Sequence, residues 1–148
     1  MDKLFSLQSL DHFVLTTAQP NEMEAFYSKL GFEVRKDGAR YEILAPAFKI
    51  NLHIKGHELE PKAVLAEPGT GDFCIEISTD KSLQKIEEEL RIQGLNVVSC
   101  PVERHGRRGT MTSIYLRDPD KNLVELALYP RSSNKSCRRF WEKTEPGT

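Results

Sequence analysis

"INLHIKG", residues 50–56, sets apolar Ile50, Leu52 and Ile54 in alternation with polar Asn51 and His53. Period two marks a strand with one face in a core and the other looking elsewhere. Whether His53 is a surface residue or a pocket residue then depends on what other strands aim at the same point. Near the end of the chain "NLVELALY", residues 122–129, repeats the motif, with Glu125 inside an otherwise apolar strand.

The segments around these two strands share an order. "SLDHFVLTT" (9–17) reads as a strand. "PNEMEAFYSKLG" (20–31) reads as a helix: Pro20 stands at its start, Asn21 is placed to cap it, Met23, Phe26, Tyr27 and Leu30 form an apolar stripe, and Gly31 ends it. "FEVRKDG", "ARYEILA" and "FKINLHI" are strands, with a hairpin turn at "KDGAR". After a linker with two prolines (57–69) the order recurs. "GDFCIEIS" is a strand, "TDKSLQKIEEELRIQG" a helix, and "LNVVSCP", "TSIYLRDPD" and "NLVELALY" are strands, with "VERHGRRGTM" read as a polar loop. The chain is thus expected to be α+β: two tandem βαβββ modules, at about 8–56 and 70–130, in one domain of residues 8–130. Residues 131–148 are read as a flexible or loosely docked tail, in which Phe140 and Trp141 are the candidates to anchor it to the body or to a second subunit.

Composition narrows the function. The 148 residues carry 21 Lys plus Arg against 22 Asp plus Glu, so no global field recruits nucleic acid or anionic lipid. No stretch approaches the roughly 20 apolar residues of a membrane span. Cys74, Cys100 and Cys137 are scattered and odd in number, which fits a reducing compartment, and the N-terminus does not read as a secretory signal. The expectation is a cytoplasmic protein with a small-molecule partner.

Strand parity points to a site. His12, Val14 and Thr16 share one face, as do Lys49, Asn51 and His53, then Asp72, Cys74 and Glu76, then Leu123, Glu125 and Ala127. If helices cover the apolar faces, the opposite faces curve round a common cavity. His12, His53, Asp72 and Glu125 converging there are what a divalent metal needs. Glu125 is the strongest candidate, because a carboxylate in an apolar strand is costly to bury without a partner. His57 and His105 lie in loops and receive no metal role.

"LDHFVLTT", "EAFYSKLGFEV" and above all "YLRDPDKNLVELALY" resemble the vicinal-oxygen-chelate, or glyoxalase/bleomycin-resistance/dioxygenase, superfamily over residues 8 to 130. The resemblance implies a cup-like mixed sheet around a metal (Ni, Zn, Mn or Fe). His12 matches the first ligand and Glu125 the last. His53 falls at or near the fourth-strand ligand, with Asn51 on the same face as the other register. Asp72 stands where many members have His. The implied function is a metal-dependent lyase or isomerase of glyoxalase type, with Glu125 as the base and a glutathione adduct as a candidate substrate. Arg117 and the loop containing Arg107 would meet an anionic group on that substrate. The alternatives are extradiol-type ring cleavage and metal-free binding of a small molecule. A homodimer is implied as well.

Overall fold

A computed structural model describes residues 2–131. The expected tail, with Phe140 and Trp141, lies outside the described residues apart from Arg131. The first module is β1 (His12–Thr17), α1 (Pro20–Lys29), β2 (Glu33–Asp37), β3 (Arg40–Leu44) and β4 (Lys49–Ile54). The second is β5 (Asp72–Glu76), α2 (Leu83–Ile92), β6 (Asn96–Val97), β7 (Val102–Gly106), β8 (Gly109–Arg117) and β9 (Leu123–Leu128). The sheets run β1-β4-β3-β2 and β5-β9-β8-β6, with β7 also on β8. In each module the outer pair, β1 with β4 and β5 with β9, is parallel and the rest are antiparallel. This is the duplicated α+β architecture that the sequence predicts.

Two local expectations change. Gln19 occupies the N-cap of α1 and Pro20 follows it, while Asn21 accepts a hydrogen bond from the Tyr41 hydroxyl at 3.3 Å. A proline at the first helical position needs no partner for a missing N–H, which leaves the Gln19 side chain free for other work. The "VERHGRRGTM" stretch is not a loop but the hairpin β7–β8, turning at Arg107–Arg108. Its polar residues suit an exposed edge strand, where charge is tolerated and even protective.

Helices and sheets share one core. Ile43, Ile50, Ile114, Leu116 and Val124 are fully buried, with Met23 and Tyr27 of α1 above them. Each such aliphatic side chain contributes about 1.5–3 kcal/mol by leaving water. The "RDPDKN" turn between β8 and β9 clamps the two modules together. The Tyr27 hydroxyl donates to Asp118 Oδ2 at 2.8 Å, and the backbone and side-chain nitrogens of Asn122 donate to both oxygens of the same carboxylate. Gln19 Nε2 donates to the Pro119 carbonyl and to Asp120 Oδ1. Gly71 N, just before β5, donates to Asn122 Oδ1 at 2.7 Å. The turn is therefore a hydrogen-bonded hub that seats α1 of one module against the β8–β9 turn and β5 of the other.

Candidate functional site

The alternation read from the sequence places the polar rows on the face away from the core. Register defines the rows. In the first module His12 pairs with Lys49, Val14 with Asn51 and Thr16 with His53. In the second Asp72 pairs with Leu123, Cys74 with Glu125 and Glu76 with Ala127. The two ladders superimpose in pattern, so the counterpart of Glu125 is Asn51, not His53. His53 stands opposite Thr16, four register steps from His12, or about 13 Å along the strands. A parallel ladder cannot bring these two imidazoles to one ion.

His12 lies at the open edge of β1, with its Nδ1 on Asp11 Oδ1 at 2.6 Å. A carboxylate on one ring nitrogen holds the proton there and leaves Nε2 as the free lone pair. Asp72 begins β5 and is exposed, lining a cavity of about 450 Å³ with Cys74, Val14, Phe13, Phe48 and Phe73. Glu125 is half-buried, and its Oε1 is buried without a hydrogen-bond partner. Its neighbours in the row are Cys74 on one side and Tyr115 on the other. Desolvation against the wall, and then the Glu125 charge, push the Cys74 thiol up to about 11. Ser113 Oγ, on the same face of β8, is also buried and unpartnered.

The two arginines expected to meet substrate sit in different places. Arg117 shares the face of Tyr115 but donates to the Lys121 carbonyl at 3.2 Å, bracing the turn. Arg107 is exposed at the tip of the β7–β8 hairpin. Its neighbour Arg108 is the one that reaches back, making two hydrogen bonds to Glu76 and lying 4.2 Å above the Tyr129 ring. Successive residues of a two-residue turn point in different directions, so the sequence alone could not choose between them. Arg104 donates to the Tyr115 hydroxyl at 2.9 Å.

The residues suit a cation in type and not in placement. His12, Asp72 and Glu125 are hard or borderline donors of the kind that hold divalent metals. Yet among the described residues no three His, Cys, Asp or Glu side chains come together as a metal-holding group. The described residues of one chain do not present a complete ligand set.

Two modules that each open with a strand and a helix and pair their first and last strands in parallel define a protein of the glyoxalase class. The chain belongs to the Glyoxalase/Bleomycin resistance protein/Dioxygenase superfamily, whose family model matches residues 9–126. It is 42% identical over 125 residues to the glyoxalase domain-containing protein RDO1 of Mycosarcoma maydis, covering 84% of this chain and 70% of that one. It is 39% identical to virulence protein STM3117 of Salmonella typhimurium, covering 83% of this chain and 85% of that protein. The crystal structure of that virulence protein superimposes with a TM-score of 0.78 at 37% identity, over 85% of this chain and 100% of the other. A lactoylglutathione lyase from Agrobacterium tumefaciens superimposes with a TM-score of 0.62 at 19% identity, over 82% of this chain and 94% of that one, a likeness of fold alone.

Proposed function

We propose that the cup binds a small oxygen-bearing molecule and that Glu125 moves a proton on it, in a lyase or isomerase reaction of glyoxalase type. The observation that carries this reading is the buried, unpartnered Oε1 of Glu125. An unpartnered carboxylate oxygen in the row beside cavity-lining Cys74 has the capacity to accept a proton. Cys74 beside it stays protonated at neutral pH and can donate a weak hydrogen bond to a developing oxyanion. His12, fixed by Asp11, offers Nε2 at the edge of the cup.

Ring-cleaving chemistry of extradiol type needs two imidazoles and a carboxylate on one iron, and the separation of His12 from His53 does not support it. Metal-free binding is a second reading, favoured by the aromatic wall: Phe13 lies 4.8 Å from Phe73 and 6.3 Å from Phe48, centroid to centroid. A homodimer is part of the proposal, supported by exposed Leu4, Phe5, Leu7, Val64 and Leu65, whose apolar surface another subunit would cover.

The test is turnover of the methylglyoxal–glutathione hemithioacetal, followed as thioester formation, by the parent chain and by Glu125→Gln, before and after dialysis against a chelator. The expected result is turnover that falls about 10²–10⁴-fold in the variant, the usual range for a lost general base. Equal turnover in both proteins, or none in either, would overturn the catalytic reading. Turnover lost on dialysis and restored by an added transition metal supports a metal-dependent form of the reaction, and binding without turnover supports the second reading.

A further inference from the structure

The two ends of the cup, equivalent by duplication, differ in chemistry. In the second module the outermost row is Glu76 with Ala127, and Arg108 closes it by pairing with Glu76 over Tyr129. In the first module the same row is Thr16 with His53. Among the described residues no ion pair crosses that row. Instead the linker folds over it, leaving a cavity of about 510 Å³. Thr16 and His53 line this cavity, with Lys62, Ala63 and Leu65 from the linker. Val14 and Thr70 are walls of both this cavity and the one beside Asp72 and Cys74, so the two adjoin.

The polar groups here have capacity to spare. His53 makes no hydrogen bond among the described residues. Of the described side chains that line the cavity, Lys62 is the one that carries a full charge. Its carboxylate neighbours, Glu58 and Glu60, stand 3.7 Å from Nζ and are not part of the lining. That spacing is longer than the roughly 2.7–2.9 Å of a charge-assisted hydrogen bond, so the ammonium keeps donors for a ligand. Glu58 Oε2 also accepts from Gly56 N at 3.0 Å, so that oxygen is shared between the two donors.

We propose that this cavity is the anion end of the substrate site. The substrate carries a carboxylate that Lys62 Nζ and a ring nitrogen of His53 bind, while its reacting carbon lies in the adjoining cavity toward Cys74 and Glu125. This assignment rests on the cup being the substrate site, and it narrows the substrate to a small carboxylic acid with its reactive group set apart from the acid. At the other end the matching row is occupied by the Arg108–Glu76 pair.

The experiment titrates the full chain with succinate, with neutral succinamide and with inorganic phosphate, following backbone and His53 ring resonances by NMR. Succinate is expected to shift Thr16, His53 and Ala63, and its affinity is expected to fall about tenfold or more in Lys62→Met and in His53→Asn, as for loss of a hydrogen bond to a charged group. Unchanged resonances away from the cavity show that both variants stay folded. Equal binding of succinamide, tighter binding of phosphate at the same residues, shifts confined to another face, or no shift at all would overturn the proposal. Glu125→Gln separates the two readings. Succinate that still binds at His53 and Lys62 while Glu125→Gln turns over normally removes the catalytic reading and leaves this one standing.

Discussion

Cys74 and Glu125 face each other across the parallel β5–β9 ladder, so a thiol and a half-buried carboxylate share one row on the floor of the cup. Desolvation raises the thiol first and the Glu125 charge raises it further, to about 11. Cys74 is therefore a poor nucleophile at neutral pH although solvent reaches it from the cup. Iodoacetamide labelling of Cys74, mapped by mass spectrometry across pH, is expected to have a midpoint near that value. In Glu125→Gln the midpoint should move down and stop short of an ordinary thiol, because desolvation remains. An unmoved midpoint would separate the two side chains.

Tyr27 and Asp118 join the modules. Burial pushes the Tyr27 phenol far up, and the adjacent Asp118 charge adds to that. Tyr27→Phe leaves a buried carboxylate short of one donor, and should cost about 1.5–3 kcal/mol in a denaturant titration. A loss no larger than that of an exposed Tyr→Phe change would mean that the hub is not a clamp.

Asp118 itself gives a pH dependence. Burial raises its carboxyl above the ordinary range, outweighing the hydrogen bonds from Asn122 and Tyr27 that lower it. A raised folded value means that the native state binds the proton more tightly than the unfolded chain does. The corresponding stability is full below the unfolded value and declines as pH rises through the window just above it. Unfolding midpoints measured across that window should show this decline in the parent chain and a flatter profile in Asp118→Asn.

Gly69 ends the linker in a left-handed conformation, φ +83°, and a Cβ there would sit 2.7 Å from the Asp120 carbonyl oxygen. That oxygen is backbone in the hub turn and cannot swing aside. Gly69→Ala should destabilise by about 2 kcal/mol or more, the sum of left-handed strain and overpacking. Thermal denaturation measures it, with Gly38→Ala as a comparison where φ is also positive but no atom lies within 4 Å.

The Arg108–Glu76 bar is exposed, so its role is to shape the cup rather than to hold up the fold. The Arg108 guanidinium keeps the Glu76 carboxyl below the usual carboxylate range. In Arg108→Ala that carboxyl should titrate at an ordinary value by carbon NMR, with faster amide exchange in residues 106–108 and little change in the unfolding midpoint.

Much of this was legible in single strands. Alternation in "INLHI" and "NLVEL" put His53 and Glu125 on the polar face, and the structure keeps them there. The "RDPDKN" signature is explained by Asp118 and Asn122, whose hydrogen bonds build the hub. What parity could not supply was position along the ladder. His53 and Asn51 are equivalent by face and differ by about 7 Å along the strand. A lone cysteine such as Cys74 carries no signal until its row partner is known.

The sequence alone determined the strand–helix–strands order of both modules apart from β7, the covered and open faces of each strand and the prominence of Glu125, because these follow from local period and from the cost of burying charge. Only the tertiary structure decided which residues meet. Register placed Asn51 rather than His53 opposite the role of Glu125, the hairpin turn chose Arg108 over Arg107, and the folded linker brought Lys62 over His53. Such pairings depend on contacts between segments far apart in the chain, and no local pattern encodes their alignment.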